Sequence, residues 1–468
     1  MSNFLHEECG LFGISSKEKE SVSLACHYGL YALQHRGQQG CGIAFNTAGE
    51  LSLHKDLGLV SEVFTSPLEV DEKQTRAAIA HTSYARVFKR PRQNVQPLMF
   101  QHHSGSLVIA HNGALTNAEE LRFQFEGKGS LFHTSSDAEL IAYLIYKYRS
   151  ETATIQEAVE KAVSELQGAF SVIIMTPEHM VVLRDPHGFR PLCVGKLEDG
   201  YVFASESCAL DAVGATFERD IAPGEICIVD LDDQSFHTST IHTKKVPQSL
   251  CAFELIYFSR PDSVIDSISI HQARIRSGAL LALEHPAQAD VVIGVPDSGI
   301  DAAIGYARQS GIPYGIGFIK NKYIGRIFIQ NQAQLRERTT HIKLNPISAT
   351  VKGKRVVLVD DSIVRGTTSR IIIRLLREAG ATEVHLRFSA PPFIFPCYYG
   401  TDIKSQKDLF AYKYDHQQMQ DILDVESLGF LPPEQLAKLS PMGDIGLCSG
   451  CFTGNYPTDV GDDHDREF

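Results

Sequence analysis

Three groups of residues in this sequence are spaced to do chemistry. The densest runs from Val356 to Ser369. Its apolar, β-branched start reads as a buried strand that ends in two adjacent carboxylates, Asp360 and Asp361. A turn containing Arg365, Gly366, Thr367, Thr368 and Ser369 then opens a helix. Acids at the C-terminal end of such a strand stand where ligands bind in open α/β sheets. The loop amides and hydroxyls can cradle a phosphate at the positive helix end, and the acids can take ribose hydroxyls directly or through Mg2+. Upstream lies the turn Val295-Pro296-Asp297-Ser298-Gly299. Between the two, Lys320, Lys322, Arg326, Arg336, Arg338 and Lys343 form a cationic stretch that reads by itself as a solvated loop and, beside the two acids, as a lid over a bound anion that excludes water.

The second group centres on Cys9, which precedes Gly10 at the head of an apolar stretch. Such a thiol can be ordinary core. At a chain terminus it would carry its own base, because an α-amine with a pKa of about 7.7–8.0 can take the thiol proton near neutrality, whereas an amide nitrogen cannot. The third group is the pair Cys448 and Cys451 with Cys251 and Cys397. Four thiolates without histidine fit structural zinc or an iron–sulfur cluster, and residue chemistry does not separate the two.

Cys9, together with Gln34-His35-Arg36-Gly37-Gln38, His111-Asn112-Gly113 and Ser135-Ser136-Asp137, resembles the N-terminal-nucleophile glutamine amidotransferases across the first half of the chain. The resemblance implies a propeptide of residues 1–8 and a Cys9 nucleophile. It further implies an oxyanion hole from Asn112 and the Gly113 N–H, an Asp137 that holds the substrate α-ammonium, and an Arg36 that helps close the glutamine site. The chain departs from that family at Ala80-His81-Thr82-Ser83-Tyr84-Ala85-Arg86, where members read Gly-His-x-Arg-Tyr-Ala-Thr. Ser83 stands where an arginine would grip the glutamine α-carboxylate. A hydroxyl offers no bidentate pair, so weaker glutamine binding is expected, partly rescued by Arg86.

The Asp360–Ser369 segment resembles the phosphoribosyltransferase signature. That resemblance assigns Ser298, Asp360 and Asp361 to Mg2+, and Arg365–Ser369 with Lys322, Arg326 and Lys343 to phosphoribosyl pyrophosphate (PRPP). The short leading segment plus the four cysteines resembles the iron–sulfur branch of the amidophosphoribosyltransferase family. This implies one structural [4Fe–4S] cluster and one Mg2+ per subunit, purine nucleotide inhibitors and a homotetramer. The implied reaction passes ammonia from glutamine to C1 of PRPP, giving 5-phosphoribosylamine, the first step of purine synthesis. Alternatives are an ammonia-dependent form with a weakened glutaminase and a non-catalytic nucleotide sensor.

These residues need two kinds of scaffold. Up to about residue 240, short apolar runs such as 107–110, 171–175 and 180–183 alternate with turns, with helices expected near 20–34, 117–126, 137–149 and 155–166. The resemblance makes this an α+β N-terminal-nucleophile hydrolase domain, an αββα sandwich over residues 9–245. From about 275, strands at 290–294, 314–319, 355–359 and 384–388 alternate with helices at 299–310 and 368–378, which predicts an α/β phosphoribosyltransferase domain with a parallel sheet over 246–468. The length of 468 residues suits about two or three domains. A formal charge of −12 argues against bulk binding of nucleic acid or anionic lipid. No apolar run approaches the ~20 residues of a membrane helix, and the N-terminus lacks a secretory pattern, so a cytoplasmic protein is expected. The other five cysteines, Cys26, Cys41, Cys193, Cys208 and Cys227, sit in apolar runs and read as packing. N-terminal sequencing of fully active enzyme is expected to begin at Cys9; Met1 or Ser2 there would contradict the propeptide.

Overall fold

The computed structural model describes residues 9–17, 21–84, 91–103, 105–321, 344–403, 405–441, 443 and 445–460. Residues 1–8, Arg86, Lys322, Arg326, Arg336, Arg338 and Lys343 lie outside the described residues.

Residues 10–239 build two antiparallel sheets that lie face to face. The first has seven strands in the order Thr216–Asp220, Cys193–Lys196, Gly200–Ala204, Gly10–Ser16, Thr75–Ser83, Gly40–Thr47 and Glu50–Leu57. The second has six, in the order Phe236–Ser239, Ile226–Asp230, His179–Arg184, Gly168–Met175, Gly105–Leu115 and Leu98–His102. Strand alternation sorts the side chains into layers. Leu11, Ala77 and Ile79 of the first sheet meet Val108, Ala110, Ile173 and Met175 of the second. The intervening residues Phe12, Ile14, Ala78 and Ala80 turn outward to pack under helix Val22–Ala32. On the far side, Ile109, Phe170, Val172 and Ile174 pack under helices Asp137–Arg149 and Ile155–Glu165. Three apolar layers between four layers of backbone make the αββα sandwich. The helix starts follow local capping: Ser21 accepts from the Leu24 N–H at 3.2 Å, and Thr154 with Glu157 forms a capping box.

The second half holds a parallel sheet ordered Val291–Gly294, Arg355–Asp360, Glu383–Phe388 and Ser427–Phe430. Along its second strand, Val357 and Val359 face helices Ile270–Glu284 and Ile300–Ser310, while Val356 and Leu358 face helix Thr367–Glu378. Both faces are covered, as the continuous β-branched runs require. The strand expected at 314–319 is not part of this sheet beyond one isolated bridge between Tyr314 and Val292. Phe318–Lys320 instead pairs antiparallel with Leu344–Pro346. Gly315 and Gly317 interrupt the run, and glycine weakens a strand interior. The fourth strand, Ser427–Phe430, is too short to stand out in the sequence.

The two helices over the sheet approach to backbone distance, because a Cβ on Gly278 would collide with the Ala302 carbonyl and one on Gly305 with the Ile275 carbonyl. This close packing sets the Ser298 turn at the head of the second helix. Among the described residues, no helix is long and apolar enough to cross a membrane. Gly278→Ala is expected to destabilise the chain by about 1–3 kcal/mol through overpacking, seen as a lowered thermal midpoint; an unchanged midpoint would contradict the close contact.

Candidate functional sites

Cys9 is half-buried directly before strand Gly10–Ser16, whose Gly10 lies opposite Thr82. The Arg36 Nε donates to the Cys9 carbonyl at 3.3 Å. The rest of its guanidinium is buried and committed. Nη1 donates to Glu206 Oε1 at 2.6 Å and to Glu254 Oε2 at 3.0 Å, and Nη2 to Glu254 Oε1 at 2.6 Å. His35 joins Glu206 at 2.6 Å, and Arg190 Nη1 lies 3.6 Å from Glu254. Burial alone would lower the Arg36 pKa and raise that of Glu206. The opposite charges win, holding Arg36 well above and Glu206 well below its ordinary value. Arg36 therefore anchors the Cys9 backbone from inside a buried ion cluster.

His111-Asn112-Gly113 lies on strand Gly105–Leu115, clamped by Gln96: the His111 N–H donates to Gln96 Oε1 at 2.7 Å, and Gln96 Nε2 donates back to the His111 carbonyl at 3.1 Å. His81 Nε2 meets the same carbonyl at 3.2 Å, bridging from the strand beside Gly10–Ser16. Burial lowers the His81 pKa to about 3, so it is neutral. With its Nε2 proton on the His111 carbonyl, its Nδ1 accepts from the Ser83 hydroxyl at 2.9 Å. The Ser83 oxygen also accepts from the Gln96 N–H at 3.3 Å. The residue that replaces the expected arginine is thus an internal strut of the His111 segment, with its hydroxyl occupied on both sides.

The Asn112 side chain is buried, and its Nδ2 has no hydrogen-bond partner among the described residues. An unpaired buried donor costs about 1–3 kcal/mol, a cost that a ligand oxygen would remove. Gly113 has φ +134°, and a Cβ there would collide with the Ala169 carbonyl, so only glycine fits. Asp137 opens helix Asp137–Arg149 and accepts from the Leu115 N–H at 2.9 Å, which places it two residues along the strand from Gly113.

At the other end, Asp360 and Asp361 terminate strand Arg355–Asp360. Ser298 Oγ donates to Asp361 Oδ1 at 2.6 Å, and the Asp361 N–H donates to Asp360 Oδ1 at 2.9 Å. Burial, then the neighbouring Asp361, raises the Asp360 pKa well above its usual value. Gly366 (φ +76°) occupies the N-cap position of helix Thr367–Glu378, so no side chain caps the first-turn amides of Thr367, Thr368 and Ser369. Arg365 lies 3.7 Å from Asp408. Lys320 pairs with Asp297 at the mouth of the site. A carboxylate pair beside an uncapped helix start can hold a divalent cation and a phosphate together.

The four cysteines converge. Cys251 stands opposite Cys448 in a two-residue parallel pairing, and Cys451 follows on helix Gly450–Thr453. The Ile394 and Phe395 amides both donate to the Cys451 carbonyl, which draws in Cys397. All four line one enclosed cavity with Arg190 and Tyr399. Burial pushes the Cys448 thiol up to about 12. The Tyr399 N–H donates to Cys397 Sγ at 3.4 Å. Among the described residues, no three His, Cys, Asp or Glu are grouped to hold a metal ion directly; the thiols surround a space instead.

Sequence reasoning missed Glu206, Glu254, Arg190 and Gln96. The available signal was a single charge inside an apolar run, as with Glu254 between Phe253 and Leu255 or Arg190 after Phe189.

A glutamine amidotransferase domain family matches residues 82–212, and a phosphoribosyl transferase domain family matches 265–392. The amidophosphoribosyltransferase of Bacillus subtilis is 46% identical over 97% of this chain and 95% of its own length. That of Methanocaldococcus jannaschii is 42% identical over 97% and 98%. A solved structure described as the allosteric regulatory enzyme of purine biosynthesis superposes with a TM-score of 0.89 at 45% identity, covering 97% of each chain. The glutamine PRPP amidotransferase from B. subtilis, complexed with ADP and GMP, gives 0.88 at 45% identity over 97% of this chain and 99% of that one.

Ser83→Ala would leave the Gln96 amide and His81 Nδ1 unpartnered. Local stability is expected to fall by about 1–3 kcal/mol, measured as faster hydrogen exchange at the Gln96 and His111 amides; unchanged exchange would remove Ser83 as a strut.

Proposed function

The chain belongs to the amidophosphoribosyltransferase family, and from this premise we propose how its own residues divide the family's reaction. The reaction is glutamine-dependent transfer of ammonia to C1 of 5-phosphoribosyl 1-pyrophosphate, a pentosyl transfer that opens purine biosynthesis. Full-length likeness to named enzymes disfavours a sensor or an ammonia-only form.

Removal of residues 1–8 would free the Cys9 α-amine, which takes the thiol proton. The thiolate attacks the glutamine carboxamide carbon, and the developing oxyanion is met by Asn112 Nδ2–H and the Gly113 N–H. The amide nitrogen leaves as ammonia, and water cleaves the thioester to glutamate. Asp137 holds the α-ammonium, Arg36 fixes the Cys9 backbone, and Arg86 is the remaining candidate for the α-carboxylate, since the Ser83 hydroxyl is occupied. The observation that carries this half is the buried, unpartnered Asn112 amide.

In the other half, the amides of Gly366 and of the first turn Thr367–Ser369 take the 5-phosphate, and Arg365, together with Lys322, Arg326 and Lys343 outside the described residues, supplies positive charge for the pyrophosphate. Ser298, Asp360 and Asp361 fit Mg2+, because two adjoining carboxylates, one of them driven toward protonation by burial, are relieved by a cation. A bound Mg2+ there supplies charge neutralisation for the departing pyrophosphate. Ammonia attacks C1 as the pyrophosphate bond breaks, and catalysis is chiefly positioning.

Cys251, Cys397, Cys448 and Cys451 line one cavity and would hold a [4Fe–4S] cluster, with an amide donor on one sulfur; the likeness to the iron–sulfur branch, not residue chemistry, favours it over zinc. Bound, it would cross-link residue 251, the 397 loop and the C-terminal segment. Purine nucleotides as inhibitors, suggested by the ADP and GMP of the B. subtilis complex, a homotetramer, a cytoplasmic location and a domain boundary at 245/246 complete the proposal.

Cys9→Ala is expected to abolish product formation with glutamine while retaining it with ammonium salt, Asn112→Ala to lower the glutamine kcat by about 10²–10³-fold, and Asp360→Asn to impair both reactions. Loss of the ammonium reaction in Cys9→Ala would contradict the division. Anaerobic metal analysis is expected to find iron and sulfide near four each per chain, as a [4Fe–4S] cluster requires; stoichiometric zinc would overturn the cluster.

A further inference from the structure

We propose that the loop Cys397–Asp402, contributed by the phosphoribosyl half, forms an outer wall of the oxyanion hole and positions Gly113 for glutamine hydrolysis, a role that rests on the Gly113 assignment above. Gly400 faces Gly113 with room for little more than a hydrogen between them. A Cβ on Gly400 would lie 3.3 Å from the Gly113 carbonyl carbon, 3.4 Å from its Cα and 3.3 Å from Arg190 Nη2, tighter than ordinary van der Waals contact. Gly400 also has φ +123°, where other residues are strained.

Three anchors, all from the amidotransferase half, hold the loop there. The Phe189 and Tyr399 rings stack with centroids 4.1 Å apart and planes 19° apart. Arg190 Nη2 donates to the Tyr399 carbonyl at 2.6 Å. The Tyr84 hydroxyl donates to Asp402 Oδ2 at 3.3 Å. The Ala169 carbonyl borders Gly113 within its own half, and Gly400 borders it from the other. The N–H that meets the oxyanion thus takes part of its direction from a loop outside the amidotransferase domain.

Oxyanion contacts strengthen only as charge develops, so a shifted Gly113 lowers kcat without changing glutamine KM. A misplacement near 1 Å can cost on the order of 10²-fold. Gly400 is therefore a positioning residue, and Gly400→Ala in the full-length protein tests it. The expected result is a fall of about 10-fold or more in kcat for glutamine hydrolysis, with glutamine KM and the ammonium-dependent rate unchanged. An unchanged glutamine kcat, or a proportional fall in both reactions, would overturn the role. Should Gly400→Ala fail to fold, Phe189→Leu, which loosens the stack under Tyr399, is read by the same split: a selective fall in glutamine kcat supports the role, and none overturns it. Asn112→Ala runs alongside. No glutamine defect there overturns the oxyanion assignment and the loop's role with it, whereas a defect in Asn112→Ala without one in Gly400→Ala overturns the loop's role alone.

Discussion

The structure depends on a buried cluster of charges at the junction of its two halves. Arg36 sits between Glu206, from the sandwich, and Glu254, from the π-helical turn Glu254–Phe258 that opens the second half. Taking such ions out of water costs several kcal/mol each unless every partner is in place. They are in place: Ser263 Oγ and the Arg260 N–H donate to Glu206, and Ser259 Oγ donates to Glu254. Those donors belong to the segment after 250, so Glu206 Oε2 gains the Arg260 and Ser263 partners only when the halves are docked. Because Arg36 also holds the Cys9 carbonyl, the same cluster that joins the halves positions Cys9.

Each candidate site holds an unmet electrostatic need that a ligand oxygen or a cation would meet. At the Asn112 end it is a buried amide donor without an acceptor. At the Asp360 end it is a buried carboxylate beside another, together with helix amides that no side chain caps. Rigid surroundings keep both needs from relaxing. Gln96, His81 and Ser83 brace the first, and the sheet with its glycine-packed helix pair braces the second. Preorganised groups of this kind cost nothing at the moment of reaction, since the fold has already met the cost.

Much of this was legible in the sequence. The alternation of β-branched strands with helices located the parallel sheet, and the Asp360–Ser369 segment declared its own geometry because strand end, acids and helix start are contiguous. The helices expected near 117–126, 137–149 and 155–166 lie at 118–126, 137–149 and 155–165, because the apolar pattern between turns marked them. What was not legible is long-range. Glu206 and Glu254 carry no local signal of their partners, and Ser83 could not be read as a strut without knowing that His81 is buried and neutral. The run at 314–319 misled because two glycines broke a strand that its apolar residues suggested. The contact of Gly400 with Gly113 joins residues far apart in the chain and exists only after the halves dock.

Arg36 and Glu254 bind the two halves as one coupled pair. A double-mutant cycle with Arg36→Met and Glu254→Leu, read by thermal unfolding, tests it most directly. Each single variant leaves a buried charge short of one partner, Glu254 without Arg36 or Arg36 with Glu206 alone, and is expected to lose about 3–5 kcal/mol, and the double variant should recover part of that loss through a coupling of roughly 1–3 kcal/mol. Additive losses in the double variant would contradict the account.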